Sequence, residues 1–254
     1  MKPIEFLAIG DTVTDAFIEL KDARVTCAVD DVDCTITMRW GYKIPYESLT
    51  VVPGVGNAAN AAVAAARLGL STAHVTDVGK DGYGTEILEY FKKEGLETKW
   101  VREHAEIPTN YHFVLSYHAE RTILVKHQAY PYELPRDLPI PKTVYLSSLA
   151  SGTEAYHDAI VDWLEAHPGV LFAFQPGTFQ MKIGVERLSR LYKRAGLFFA
   201  NKEEYQRILD TKEKSEKALL EAMRKLGPKT PVLTDGKNGV YALEGATVFH
   251  LPMY

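Results

Sequence analysis

The sequence predicts an α/β fold in which helices cover both faces of a mostly parallel central sheet. Short apolar segments, each the length of one buried strand, alternate with segments of helical periodicity from residue 57 onward. The first apolar segment, Phe6–Ile9, ends at Gly10-Asp11, and such strand ends are where α/β sheets hold their ligands. Residues 16–52 contain strand-like segments without a helix signal, which predicts a small separate sheet.

The first half of the chain is predicted to contain two helices, over residues 57–68 and 83–94. Both end at a glycine, Gly69 or Gly95, which is the residue type favoured just after a helix. A polar turn near residues 118–120 joins two strands that we expect to join the 16–52 segment or to extend the central sheet. The predicted strands are Phe6–Ile9, Phe17–Leu20, Thr35–Trp40, Val75–Val78, Tyr111–Leu115 and Arg121–Val125.

The second half continues the alternation of strands and helices. Leu219 and Met223 fall on one stripe of a predicted helix that Gly227-Pro228 ends. The predicted helices are Glu154–His167, 181–194, a short one from Lys202, and 213–226. The predicted strands are Val144–Leu146, Val170–Phe174, Leu197–Ala200, Pro231–Thr234, Val240–Leu243 and Thr247–Leu251.

Composition narrows the classes of function. The chain has 254 residues and a formal net charge of -4, which argues against a nucleic-acid partner because phosphate-binding surfaces carry a basic excess. No apolar run approaches the roughly 20 residues that span a bilayer, and the start of the chain lacks the apolar core of a signal peptide. We therefore expect a cytoplasmic protein without membrane contact. Cys27 and Cys34 suggest neither a disulfide framework nor a metal site, and we expect them to be small apolar side chains in strands.

Two features near the first strand predict a ligand site. Asp15 lies just beyond that strand, where a carboxylate can accept hydrogen bonds from the hydroxyl groups of a sugar; the alternative is a turn or capping aspartate. The run Val55-Gly56-Asn57-Ala58-Ala59-Asn60 is a glycine turn that leads into a helix of small residues. Its free backbone amides suit a polar or anionic ligand, and the alternative is close packing of the helix on the sheet. The run is neither Gly-x-Gly-x-x-Gly nor a Walker loop.

Two further features follow late strands. Asn201 and Glu204 lie three residues apart at a predicted helix start, where they could hold the water shell of a magnesium ion. The alternative is an N-capping asparagine with a first-turn glutamate. The segment Thr234-Asp235-Gly236-Lys237-Asn238-Gly239 is either a loop that lies against a nucleotide or simply a hairpin loop with two glycines.

In this order, the four features resemble the ribokinase-like (pfkB) family of carbohydrate and nucleoside kinases, over nearly the whole chain. The most specific stretch is residues 53–95, in which Gly79-Lys80-Asp81-Gly82-Tyr83-Gly84 resembles the Gly-x-Asp-x-x-Gly of the family. One departure is Val55, which occupies the first position of the usual glycine pair, although Gly54 lies beside it. The positions that match the first family signature are Gly56, Asn60, Ala62, Gly69 and Gly79.

The resemblance implies a single three-layer α/β/α domain over residues 1–254 with a small β-sheet lid, formed by about 16–52 with a contribution from 109–127. It implies phosphorylation of a primary hydroxyl of a sugar or nucleoside, with ATP and Mg²⁺ as cofactors and a homodimer through the lid. The implied substrate-binding residues are Asp15, Gly56, Asn57 and Asn60. The implied ATP-binding residues are Asn201, Thr234, Gly236 and Gly239, and Glu204 would bind magnesium through water.

Two departures affect these expectations. Gln175 stands at a strand end where many members carry Asp. The second family signature, Asp-Thr-x-Gly-Ala-Gly-Asp, is expected after the strand that ends near Leu251, so the catalytic base is expected beyond Tyr254. The resemblance thus predicts a C-terminally incomplete chain with no catalytic residue of its own, inactive alone although the intact protein is a kinase.

Three questions stay open at this point. The alternative to a kinase is a non-catalytic binding or regulatory member of the same fold. A more remote alternative is an unrelated nucleotide-binding enzyme in which residues 16–52 pack into the core. The substrate is equally open among sugars, sugar acids and nucleosides. Trp40, Tyr42 and Tyr46 are candidates either for covering the substrate or for a dimer contact.

Overall fold

The strands and helices follow one another in the order that the apolar segments predict. The computed structural model describes residues 3–27, 34–118 and 120–253, and in these ranges it contains fifteen strands and seven α-helices. The strands are β1 (Phe6–Ile9), β2 (Val13–Leu20), β3 (Arg24–Thr26), β4 (Thr35–Thr37), β5 (Tyr46–Val55), β6 (Thr72–Gly79), β7 (Val101–His104), β8 (Tyr111–Tyr117), β9 (Glu120–Leu124), β10 (Thr143–Leu146), β11 (Leu171–Phe174), β12 (Leu197–Asn201), β13 (Thr230–Thr234), β14 (Val240–Glu244) and β15 (Thr247–Leu251). The helices are α1 (Asn57–Arg67), α2 (Gly82–Lys93), α3 (Glu154–Ala166), α4 (Thr178–Ile183), α5 (Ser189–Arg194), α6 (Lys202–Ile208) and α7 (Glu216–Lys225).

Nine strands form the central sheet, in the order β15-β14-β13-β12-β11-β10-β1-β6-β7. The seven strands from β13 to β7 pair in parallel, whereas β14 and β15 add an antiparallel edge. Every residue of β6 is buried, as expected for a strand covered on both faces. The predicted mostly parallel sheet is confirmed.

Helices cover both faces of this sheet, as adjacent residues of β1 show. Leu7 packs in a cluster with residues of α3, α5 and α7, whereas Ala8 packs in a second cluster with residues of α1 and α2. Successive side chains of a strand point to opposite faces, so the two clusters are the two cores of a layered α/β fold. No helix in the described ranges is long and apolar enough to cross a membrane.

A second, four-stranded sheet has the order β5-β2-β8-β9, and we call it the lid sheet. Strand β2 lies at its centre, antiparallel to β5 and parallel to β8, and β8 forms a hairpin with β9. The sheet is separate from the central one, so the described strands of residues 16–52 are not part of the central sheet, contrary to the remote alternative. Its strands extend past the predicted lid boundaries, since β2 begins at Val13 and β5 ends at Val55. Ala119 of the predicted polar turn lies outside the described residues.

Several predicted boundaries are wrong. The helix predicted over 181–194 is two short helices, α4 and α5, because Gly184 adopts a φ of 91° that ends the first. The predicted strand Thr35–Trp40 ends at Thr37, and α7 begins only after Ser215, whose side chain accepts a hydrogen bond from the backbone of Ala218. Strands β3, β5 and β7 were not predicted.

The expectation for the two cysteines is also wrong, because Cys27 and Cys34 form a disulfide. Strands β3 and β4 pair antiparallel, and Thr26 is the register partner of Thr35. Cys27 directly follows Thr26 and Cys34 directly precedes Thr35, so the pairing brings the two thiols together. A separation of seven residues does not by itself indicate a disulfide, because the bond depends on the register in which β3 and β4 pair.

Candidate active site

Asp15 is the third residue of β2, just beyond the first strand, and it is not the turn or capping aspartate of the alternative interpretation. Strand β2 follows β1 closely and carries the chain from the central sheet into the lid sheet. Its register partner on β8 is His112, whose Nδ1 lies 3.4 Å from Asp15 Oδ1. Asp15 is therefore held where the two sheets meet.

Gly56 forms the second part of the site. It is the N-cap of α1 with a φ of 117°, and a Cβ there would lie 2.9 Å from the carbonyl oxygen of Asp11. Any residue other than glycine would be strained in that backbone conformation and would clash with the neighbouring carbonyl. Asn57 Nδ2 donates to Ser148 Oγ at 3.3 Å, and Asn60 follows one turn later on an exposed position. The small residues Ala58, Ala59 and Ala62 are buried against the sheet, so the packing interpretation of the alanine run is also correct.

All four predicted substrate-binding residues line one cavity of about 470 Å³ between the lid sheet and the carboxyl ends of the central strands. The volume is in the range of small-molecule sites. Sequence reasoning missed most of the remaining polar lining, which comes from segments far apart in the chain. These residues are Asp11, His112, Arg121, His127 and Ser148. Their convergence depends on the parallel pairing of β2 with β8, which no local pattern indicates.

Asp11 is the most buried acid of the cavity, with 4% of its surface exposed. Burial raises the pKa of its carboxyl, while the nearby His127 and a hydrogen bond from Tyr132 act in the opposite direction. Tyr132 Oη donates to Asp11 Oδ1 at 2.8 Å, and His127 Nδ1 lies 3.3 Å from Oδ2. One feature of the sequence could have identified Asp11 as a site residue, because it directly follows Gly10 at the end of the first strand.

The second glycine-rich turn supports the start of the lid sheet. Asp81 caps α2 by accepting a hydrogen bond from Gly84 N at 2.9 Å, and it accepts two more from the backbone and hydroxyl of Thr109 at 2.8 and 2.7 Å. Burial raises the pKa of Asp81, but these hydrogen bonds outweigh it and leave the pKa lowered. Asn110 then accepts a hydrogen bond from Thr14 N through its carbonyl oxygen, at 3.1 Å. The Gly-x-Asp-x-x-Gly segment thus fixes the entry into β8 relative to β2.

A buried network supports the other wall, around Ser148. Gln180 Oε1 accepts a hydrogen bond from Gly177 N at 2.7 Å, and its Nε2 lies 3.2 Å from the Ser147 carbonyl oxygen and 2.9 Å from His157 Nε2. His157 Nδ1 lies 2.7 Å from the Thr153 carbonyl oxygen, so this nitrogen carries the proton and Nε2 accepts. Burial lowers the pKa of His157, which favours the neutral form of the ring. The Gln175 side chain lies outside the cavity, where its Oε1 accepts a hydrogen bond from Tyr145 Oη.

The predicted nucleotide-binding residues come together at the carboxyl ends of β12 and β13. Asn201 and Thr234 are register partners, each the last residue of its strand. Gly236 begins the 3₁₀ turn that follows. Gly239 ends that turn and packs tightly against β15, because a Cβ there would lie 2.1 Å from the Leu251 carbonyl oxygen.

Asn201 and Glu204 form a capping box at the start of α6. The side chain of each accepts a hydrogen bond from the backbone nitrogen of the other, at 2.8 Å in both cases. The capping alternative for this pair is therefore correct as local structure. Beside it, Lys202 forms ion pairs with Glu216 and with Asp235, the latter at 3.0 Å. No three acidic, histidine or cysteine side chains of the described residues gather closely enough to bind a metal directly.

The two groups of residues lie on the same edge of the central sheet. Strand β1 leads to Asp11 and Asp15, and β12 is separated from it by β10 and β11. Neighbouring strands are about 4.8 Å apart, so roughly 14 Å separates β1 from β12. Trp40, Tyr42 and Tyr46 are exposed, at 98%, 68% and 56%, and none of these three lines the cavity around Asp15.

Comparison with known proteins identifies related sequences and folds. The family described as pfkB family carbohydrate kinase matches residues 32–254. The ribokinase of Staphylococcus aureus (strain COL) is 27% identical over 210 residues, which cover 79% of this chain and 67% of that protein. The structure of Arabidopsis thaliana ribokinase complexed with ribose and ATP has a TM-score of 0.79 at 17% identity, covering 100% of this chain and 78% of the other. The nucleoside kinase of Methanocaldococcus jannaschii has a TM-score of 0.75 at 17% identity, covering 98% and 76%.

Proposed function

Since the chain belongs to the pfkB family of carbohydrate kinases, we propose that it takes part in the ATP-dependent phosphorylation of a primary hydroxyl of a sugar or nucleoside. The observation that carries this proposal is the single cavity that brings Asp15, Gly56, Asn57 and Asn60 together. The solved relative that contains ribose and ATP supports the two ligands proposed here.

The cavity provides the residues needed to bind and orient the acceptor. The carboxylate of Asp15 can only accept hydrogen bonds when ionised, which suits the hydroxyl donors of a sugar. The amides of Asn57 and Asn60 can both donate and accept. Gly56 lets the backbone approach the ligand without a side chain in the way. Held by these groups, one acceptor hydroxyl would point along the sheet edge toward β12.

The nucleotide is proposed to lie against Asn201, Thr234, Gly236 and Gly239. The residues fit a magnesium ion bound through water, because Glu204 uses only Oε2 in the capping box and its second oxygen has no hydrogen-bond partner among the described residues. Glu204 would hold such a hydrated ion beside Asn201. When bound, magnesium would neutralise charge on the phosphates, and this chain would position the reactants, as phosphoryl transfer requires.

The function is tested by incubating the purified full-length protein with ATP, magnesium and a panel of sugars and nucleosides, and detecting phosphorylated product by mass spectrometry. Asp15→Asn is the test variant, and Asp22→Asn, an exposed acid outside the cavity, is its control. We expect the first to lower kcat/KM at least about tenfold, since a hydrogen bond to a charged group contributes about 1.5–3 kcal/mol. Binding of acceptor without any product would favour the non-catalytic alternative.

We also propose that the outer face of the lid sheet forms a homodimer contact. Phe113 and Leu124 are register partners on this face and are 46% and 52% exposed, and Leu49 and Val51 on β5 are 50% and 41% exposed. Exposed apolar side chains that adjoin on one sheet face are typical of a protein contact. A second copy of the chain presents the same face, so the contact would be self-complementary.

A further inference from the structure

The cavity-facing side of the lid sheet is divided into rows by the register of its strands. Asp15 and His112 are register partners and form a polar row next to the central sheet. Two residues further along, Phe17 pairs with Val114 and Val114 pairs with Ile123, which makes an apolar row across three strands. All five side chains line the cavity. The rows are about 7 Å apart, since each residue of a strand advances about 3.3 Å.

The apolar row has no polar side chain to offer a ligand. A free sugar carries hydroxyl groups around the edge of its ring, and any that were turned toward Phe17, Val114 and Ile123 would lose water without gaining hydrogen bonds. Each hydroxyl left in that state costs free energy of the order of 1–3 kcal/mol. A flat aromatic ring has the opposite preference, because it stacks on a phenyl side chain and packs against branched aliphatic ones. Val55 and Val125 extend the apolar wall.

A third row begins beyond the apolar one, at Arg121. This residue lies two positions before Ile123 on β9, lines the same cavity, and its guanidinium has no hydrogen-bond or ion-pair partner among the described residues. A guanidinium only donates hydrogen bonds, so it suits a carbonyl oxygen or ring nitrogen at the far edge of an aromatic ring. Ser116 and Glu19, which continue this row across β8 and β2, do not line the cavity, so the order of the lining side chains is hydroxyl-binding, apolar, and donor.

From this arrangement we infer that the acceptor is a nucleoside rather than a free sugar. Its ribose hydroxyls lie at Asp15, its base lies on the row of Phe17, Val114 and Ile123, and acceptor atoms on the edge of the base face Arg121. This inference rests on the proposed kinase function but goes beyond it, since that function alone admits either class of acceptor.

The inference is tested by calorimetric titration of the protein with uridine, inosine, ribose, fructose and gluconate, the last as an anionic sugar. We expect at least one nucleoside to bind about tenfold or more tightly than ribose, as base stacking alone contributes about 1–3 kcal/mol. Ile123→Ala and Phe17→Ala should weaken nucleoside binding and leave ribose binding unchanged. Leu124→Ala, the adjacent residue on the opposite sheet face, should leave the ratio of the two affinities unchanged.

The outcomes separate this inference from the proposed function. Free sugar binding as tightly as nucleosides, with no effect of Phe17→Ala, overturns the nucleoside assignment but leaves the kinase proposal standing. Tightest binding of gluconate overturns it as well, and would assign Arg121 to a carboxylate. Binding of none of the five compounds overturns both. Circular dichroism of each variant confirms that a lost affinity does not reflect unfolding.

Discussion

Asn201 and Glu204 cap each other at the start of α6, through two reciprocal hydrogen bonds of 2.8 Å. The same pair is proposed to position magnesium-bound ATP. A stabilising role and a ligand-binding role thus fall on the same two side chains. They can be separated, because glutamine is able to form the capping box but carries no charge.

Glu204→Gln is expected to keep the stability of the protein and to weaken binding of magnesium–ATP. Glu204→Ala should lower both, with a loss in the free energy of unfolding of about 1 kcal/mol from the missing cap. Urea unfolding and calorimetric titration with ATP, with and without magnesium, measure the two effects. Equal ATP binding by wild type and Glu204→Gln would contradict the metal role and leave only the cap.

Gly56→Ala is expected to destabilise the protein and to reduce acceptor binding. The matched control is Gly69→Ala, because Gly69 also has a positive φ, of 92°, but a Cβ there meets nothing within 4 Å. Gly56→Ala adds a clash with the Asp11 carbonyl oxygen, so it should cost at least about 1 kcal/mol more than the control. Thermal unfolding measures the difference. Two equal losses would show that the contact at Asp11 relaxes freely.

The stability of the protein is expected to fall as the pH decreases from 6.5 to 4, because of His74. This residue is fully buried, and burial lowers its pKa to about 4. In the unfolded chain the pKa is about 6.5, so below that pH the unfolded state binds a proton that the folded state excludes. The stabilisation is complete above pH 6.5, and the loss amounts to about 3 kcal/mol by pH 4.

Urea unfolding between pH 7 and 4 measures this contribution. His74→Leu should flatten the decline over that range, whereas His118→Asn, at an exposed site with a positive φ that asparagine tolerates, should not. An unchanged pH profile in His74→Leu would assign the decline to other groups.

Phe113→Asp and Leu124→Asp are expected to convert a homodimer into a monomer. Both place a charge on the exposed outer face of the lid sheet, where dimerisation would have to bury it. Arg121→Ala, on the cavity-facing side, is the control. Analytical ultracentrifugation over a range of concentrations measures the oligomeric state of each variant. A monomeric wild-type protein would refute the proposed contact.

Local patterns predicted most of the central sheet. Phe6–Ile9 and Leu197–Ala200 are apolar runs with polar or turn residues beside them, and they form parallel strands of the central sheet. The helix ends at Gly69 and Gly95 could also be predicted, because both positions have a positive φ that glycine adopts readily. The prediction of one helix over 181–194 was wrong because the apolar periodicity continues across Gly184, whose positive φ ends the helix there. Strand β5 was missed because its residues are mostly exposed and show no clear alternation.

By itself, the sequence determined the α/β class, the positions of the glycine turns, and the resemblance that singled out Asp15, Gly56, Asn60, Asn201 and Gly236. Each of these features depends on a short segment of the chain, because backbone conformation and hydrophobic periodicity are set by residues that are close in sequence. Only the tertiary structure decided that β2 pairs with β8, which places His112 beside Asp15 and sets Phe17, Val114 and Ile123 in one row. It also joined Cys27 to Cys34. Register between distant strands depends on the packing of whole sheets, so no segment of the chain contains it alone.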